Sequence, residues 1–109
     1  MNAQFKKGVL ELIVLESVRK RDMYGYELIQ EMSLLSQQVF SMSQGSLYPF
    51  LHALEDRRLI QSYTQEAGGR ERRYYRLTTA GQAALEEKER QWGIYTRAME
   101  RILEGAWGG

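Results

Sequence analysis

Gln44-Gly45-Ser46-Leu47-Tyr48-Pro49-Phe50-Leu51-His52-Ala53-Leu54-Glu55-Asp56-Arg57 is the stretch on which the fold turns. Leu47, Leu51 and Leu54 recur at helical spacing, Phe50 flanks their face, and Ser43 stands where a cap belongs. A helix over 44–57 therefore buries its leucines. It turns Gly45, Tyr48, Pro49 and His52 outward, with Ser46 at the border and Gln44 at the open N-terminal end. Pro49 removes one backbone donor and disfavours the helical conformation at Tyr48, which predicts a loose or kinked first turn. Taken alone, this is an amphipathic helix with a polar outer face.

Its neighbours give it meaning. Towards the N-terminus, residues 5–20 read as a helix with Leu10, Ile13, Val14, Ser17 and Val18 on one face. Val9, Leu12 and Leu15 make its other faces apolar as well, so it wants cover on two sides. Asp22 offers an N-cap to a second helix over 24–35 that points Leu28, Ile29, Met32 and Leu35 inward. Ser36-Gln37-Gln38 breaks it, and Val39-Phe40 is a β-prone pair. Towards the C-terminus, strands over 59–64 and 72–77 flank residues 65–71, where Gly68 and Gly69 supply positive φ. That is a hairpin with a long, mobile, basic tip. Thr79 and Gln82 form a capping-box signature for a long helix to about Glu104, ahead of Gly105-Ala106-Trp107-Gly108-Gly109.

Helix, helix, helix, hairpin, helix is the plan of a mostly α winged helix-turn-helix with an added C-terminal dimerisation helix. Residues 1–78 form the winged unit and 79–109 the dimerisation helix and short tail, in one compact body. The bulk figures agree: 109 residues suit one domain, with 43% hydrophobic and 27% charged residues. Cysteine is absent and His52 is the single histidine, so disulfides, thiolate metal sites and a Ser/His/Asp triad have nothing to work with. Neither an enzyme nor a cofactor or metal is expected. No apolar run approaches a membrane span and no signal peptide is laid out, so a cytoplasmic, nucleoid-associated place is expected.

A net charge of +1 hides its distribution. Residues 57–76 hold Arg57, Arg58, Arg70, Arg72, Arg73 and Arg76 against Glu66 and Glu71, whereas residues 82–109 are slightly acidic. A basic patch on a near-neutral body is the footprint of a DNA reader. The expected partner is double-stranded DNA. Helices of this kind put their N-terminal residues against base edges in the major groove. Gln44 suits adenine, Ser46 suits several bases, Tyr48 suits a thymine methyl or a phosphate, and Gly45 lets the backbone come close. Pro49 and His52 complete the outer face, and Tyr24 joins the set from the start of the second helix. Gly69, Arg70, Arg72 and Arg73 on the hairpin reach phosphates or a minor groove. Arg76 reads as structural, and Tyr63, Tyr74 and Tyr75 as sheet packing. The rival from another class is a winged-helix protein–protein interaction module without DNA binding.

In the last helix Leu85, Trp92 and Met99 are spaced by seven, with Tyr95 and Ile102 three residues after two of them. Such a seam predicts a homodimer through the first and last helices, and two-fold symmetry predicts a palindromic operator. The alternative is a helix folded back on its own domain.

The chain resembles the PadR family of transcriptional regulators, its short subfamily especially. The carriers are Tyr24-Gly25-Tyr26-Glu27-Leu28, the stretch from Gly45 to Glu55, and Gly69-Arg70-Glu71-Arg72-Arg73-Tyr74-Tyr75-Arg76-Leu77-Thr78-Thr79-Ala80-Gly81. The resemblance implies a homodimeric repressor of stress, phenolic-acid or multidrug responses. It also implies a small planar aromatic ligand, held in multidrug-binding members between paired tryptophans at the dimer centre. Trp92 matches that tryptophan, and Phe5, Glu11 and Leu12 match the pore lining. A central tryptophan is equally good dimer packing, so both readings of Trp92 stay open. Two positions depart from the family: Arg58 stands where glycine often ends the recognition helix, and Thr96 where a carboxylate favours cationic drugs.

Overall fold

The computed structural model describes residues 3–107. Four helices and a small sheet follow one another as α1 (Ala3–Lys20), β1 (Met23–Tyr24), α2 (Gly25–Leu35), α3 (Gln44–Asp56), β2 (Ile60–Ala67), β3 (Arg70–Leu77) and α4 (Thr79–Trp107). The winged helix-turn-helix plan is the one observed. The sheet is antiparallel in the order β1-β3-β2. Its first strand is an addition to the sequence reading. Met23 and Tyr24 pair with Tyr75 and Tyr74, so α2 begins at Gly25 and Asp22 is no cap. Asp22 instead accepts a 2.5 Å hydrogen bond from the Tyr63 hydroxyl, and the Tyr24 N–H donates to Glu27 Oε1.

The core forms where the helical leucines meet the sheet. Val14, Leu15, Leu28, Met32, Leu47, Leu51, Leu54, Ile60 and Tyr75 are all buried in it, each apolar side chain contributing about 1.5–3 kcal/mol by its removal from water. Leu35, read as inward, is 49% exposed, because α2 stops there and its last turn overhangs the core. Val39 and Phe40 form no strand; Phe40 packs on the core and its N–H donates to the Ser36 hydroxyl. Despite Pro49, α3 runs unbroken from the Ser43 cap, whose hydroxyl accepts from the Ser46 N–H. The wing is tighter than expected. β2 and β3 pair from Ile60–Leu77 out to Ala67–Arg70, leaving only Gly68 and Gly69 as a two-residue turn. Both have positive φ, 60° and 78°, as such a hairpin turn requires.

The end of α3 shows why glycine suits the position that Arg58 holds. After α3, the Arg58 N–H donates to the Glu55 carbonyl and the Leu59 N–H to the Leu54 carbonyl. These are the two bonds of a Schellman ending, and they place Arg58 at φ 61°. Glycine tolerates that conformation freely; an L side chain costs roughly 1–2 kcal/mol there. Arg58→Gly should therefore raise folding stability by about 1 kcal/mol, read as a higher thermal midpoint. A lowered midpoint would mean that the Arg58 side chain itself stabilises the turn.

Thr78, not Thr79, caps α4: its Oγ1 accepts from the Gly81 N–H, while Gln82 reaches Glu86 instead of closing a box. The helix runs to Trp107, beyond the Glu104 expected, so Gly105, Ala106 and Trp107 of the expected tail are helical, while Gly108 and Gly109 lie outside the described residues. α4 packs along α1 within the same chain. Leu85, in the second turn of α4, packs inside the chain. It is 1% exposed in the chain's own core, so its reading as a dimer-interface residue is corrected. Beyond Trp92 the helix leaves the core, and Ile94, Tyr95, Met99 and Ile102 are exposed.

Candidate nucleic-acid interface and an apolar groove

Two regions collect the residues singled out by the sequence. In the first, Gln44, Gly45, Ser46, Tyr48, Pro49 and His52 are all exposed on α3. The Ser43 cap fixes this end, and the Ser43 hydroxyl lies 3.2 Å from that of Ser46. Tyr48 does not project freely. Its hydroxyl lies so near Gly25 that a Cβ there would come within 2.7 Å of it. The glycine at the start of α2 thus makes room for the phenol of α3, a role that the Tyr-Gly-Tyr pattern alone did not disclose.

Tyr24, next in line, ties this helix pair to the wing. Its ring meets Tyr74 edge-on at 5.6 Å, and the Arg72 guanidinium lies 4.4 Å over its face. Tyr74 in turn stacks on Tyr63 at 5.7 Å, and Arg76 covers Tyr63 at 5.2 Å. Register explains the ladder: Tyr24, Tyr74 and Tyr63 are direct cross-strand neighbours on one face of the sheet. Arg73 and Tyr75 point to the other face, where Tyr75 is buried. Arg70 stands exposed beside the Gly68-Gly69 turn. A continuous line of contacts thus joins α3, the N-terminus of α2 and the wing, with exposed arginines at its far end. Such an arrangement holds a helix and a basic hairpin in fixed relation. It offers polar groups for base edges at one place and cations for phosphates at another.

The second region is a groove of about 710 Å³ between α1 and α4. Phe5 and Gly8 line it from α1; Lys88, Trp92, Tyr95, Thr96 and Met99 line it from α4. Phe5 meets the Trp92 ring edge-on at 5.5 Å. Glu100, one turn beyond Thr96, also lines the groove, so a carboxylate is present although Thr96 is not one. Lys88 puts a cation on the same wall. Glu11 and Leu12, expected in the lining, are not there. Leu12 packs against the core, and Glu11 is 6% exposed, bound by Lys88 at 2.8 Å and by the Arg57 guanidinium. Burial pushes the Glu11 carboxyl up, but the hydrogen bonds and charges of Lys88 and Arg57 outweigh this and hold it below its ordinary range. A partner 46 residues away left no local mark in the sequence by which this pairing could be read.

Among the described residues, no group of His, Cys, Asp or Glu is placed to hold a metal ion, and no helix is long and apolar enough to cross a membrane.

Comparison with known proteins agrees with this geometry. The model of the transcriptional regulator PadR-like family matches residues 14–87. A transcriptional regulator of Mycobacterium tuberculosis is 36% identical over 106 residues, spanning 97% of this chain and 90% of the relative. Among solved structures, a PadR-like transcriptional regulator of Bacillus cereus superposes with a TM-score of 0.83 at 31% identity, covering 94% of this chain and 98% of that one. A Streptococcus transcriptional regulator gives 0.82 at 29% identity, covering 93% and 98%.

Proposed function

The chain belongs to the PadR-like family of transcriptional regulators, and from that premise we propose that it is a homodimeric repressor released from DNA by a planar aromatic ligand. It is a regulator, not an enzyme. In this reading α3 enters the major groove of a palindromic operator, with Gln44, Gly45 and Ser46 nearest the base edges. Tyr24 and Tyr48 stand at the flanking phosphate backbone, and Arg70, Arg72 and Arg73 of the wing neutralise phosphates. The observation that carries it is the line of contacts from Tyr48 through Gly25 and Tyr24 to Arg72, which keeps the polar end of α3 and the basic wing in register. A protein-binding module has no need of that combination.

Dimerisation through the exposed end of α4 sets two α3 helices at a fixed distance and completes the groove beside Trp92. An occupant of the groove weakens DNA binding when it prefers dimers whose α3 helices are misplaced for the operator.

The test is fluorescence anisotropy with two duplexes, one random and one selected by this protein from a random pool, at two salt concentrations. Each lost phosphate contact should lower the slope of log affinity against log salt by about one. Arg70→Ala should do this on both duplexes alike. Arg72→Ala should weaken binding further, since its guanidinium also packs on Tyr24. Parental binding by both variants would rule out a phosphate-clamping wing. No duplex binding by the parent even at low salt would favour the protein-interaction module.

A further inference from the structure

Glu11 sits where α1, α4 and the end of α3 meet. Its Oε2 is 2.8 Å from the Lys88 ammonium and its Oε1 takes the Arg57 guanidinium. Lys88 stands in the groove wall, and Arg57 is the C-cap of α3. One nearly buried carboxylate is thus held from two directions, by the groove and by the proposed recognition helix. We propose that Glu11 is the coupling residue between them, a positioning residue through which groove occupancy alters the set of α3.

The physical reason is that a buried carboxylate does not tolerate losing its compensation. Stripping one cation from a buried pair is strongly destabilising, whereas exchanging the whole group for apolar side chains is often neutral. When an occupant of the groove displaces the Lys88 ammonium, Glu11 depends on Arg57 alone and the two move together. Arg57 closes the last turn of α3 through its N–H to the Ala53 carbonyl, so a shift of its side chain is felt along that helix. The inference rests on the ligand-responsive reading only for its ligand arm; the mechanical link stands without it.

The experiment measures the affinity of the selected duplex for the parent dimer, Arg57→Leu, Lys88→Met and the double variant, each with and without the planar uncharged dye Nile red. Without dye, each single variant should lose roughly threefold to tenfold in affinity and the double no more than the weaker single, because both act through one carboxylate. The salt slope of Arg57→Leu should equal the parent's, since no phosphate contact is lost. Any loss of affinity that Nile red causes in the parent should vanish in Arg57→Leu. Should the double variant fail to fold, the Glu11→Leu/Arg57→Leu/Lys88→Met variant buries no unpaired charge, and its affinity should match the weaker single.

Additive losses overturn the proposal, as does a slope lowered by about one in Arg57→Leu, which would make that arginine a phosphate contact. Parental affinity in the triple variant, or an undiminished dye effect in Arg57→Leu, overturns it too. If Nile red leaves the parent bound while the cycle is non-additive, ligand release by this dye class falls and the coupling stands.

Discussion

Glutamate at both Met99 and Ile102 should turn the dimer into monomers and lower operator affinity by about 100-fold to 10,000-fold, the range that simultaneous engagement of two half-sites supplies. Met99 is 50% and Ile102 62% exposed, and Tyr95 beside them 64%, on the part of α4 that has left its own core. The proposed dimer buries this apolar stripe. A charge placed in the middle of it has to be desolvated when the partner arrives, and that cost opposes what the contact returns. Ala83→Glu adds the same charge near the start of α4, where the side chain is exposed and away from the seam, and should leave the dimer intact. Sedimentation velocity reads all three states. A dimer that survives the double substitution would move the interface elsewhere, and the exposed Leu34 and Val39 beside α2 would be the next surface to test.

That prediction depends on a distinction which the residue pattern did not carry. Leu85, Trp92 and Met99 share one spacing of seven, and from spacing alone all three belong to one seam. α4 has 29 residues, about 43 Å at 1.5 Å per residue, in a molecule only 27 × 23 Å across its shorter axes. A single stripe on so long a helix must change what it touches along its length. Leu85 faces the core, Trp92 is half-buried in the groove wall, and Met99, also in that wall, is half exposed. Local signals were legible where one element decides them: the Leu47, Leu51 and Leu54 face, the Ser43 cap, the glycine turn of the wing. Contacts between distant elements were not. Two residues suffice for β1, too short for any alternation to register. Tyr24 looks like a helix start in the sequence because its cross-strand partner Tyr74 is 50 residues further on. The Glu11 pairs failed to register for the same reason, since their partners come from other helices.

Trp92→Ala should abolish most binding of planar aromatic dyes while leaving operator affinity in their absence near the parent's. The indole is half-buried on the groove wall, and an edge contact with Phe5 holds its plane. A flat ring entering the groove stacks on that plane, gaining about 0.5–1.5 kcal/mol beyond the apolar area it buries. Loss of the stacking surface together with its contact area should weaken dye binding about tenfold or more, since 1.4 kcal/mol already corresponds to a factor of ten. The proposed DNA contacts lie on α3 and the wing, neither of which supplies a lining residue to the groove, so the duplex should register little until a ligand is present. Quenching of tryptophan fluorescence reads the dye, and Trp107→Ala isolates the Trp92 signal because the sequence has only two tryptophans. Quenching that persists in Trp92→Ala and disappears in Trp107→Ala would place the dye away from the groove. Trp92 would then be packing at the dimer seam, and the search for an inducer would have to begin at another surface.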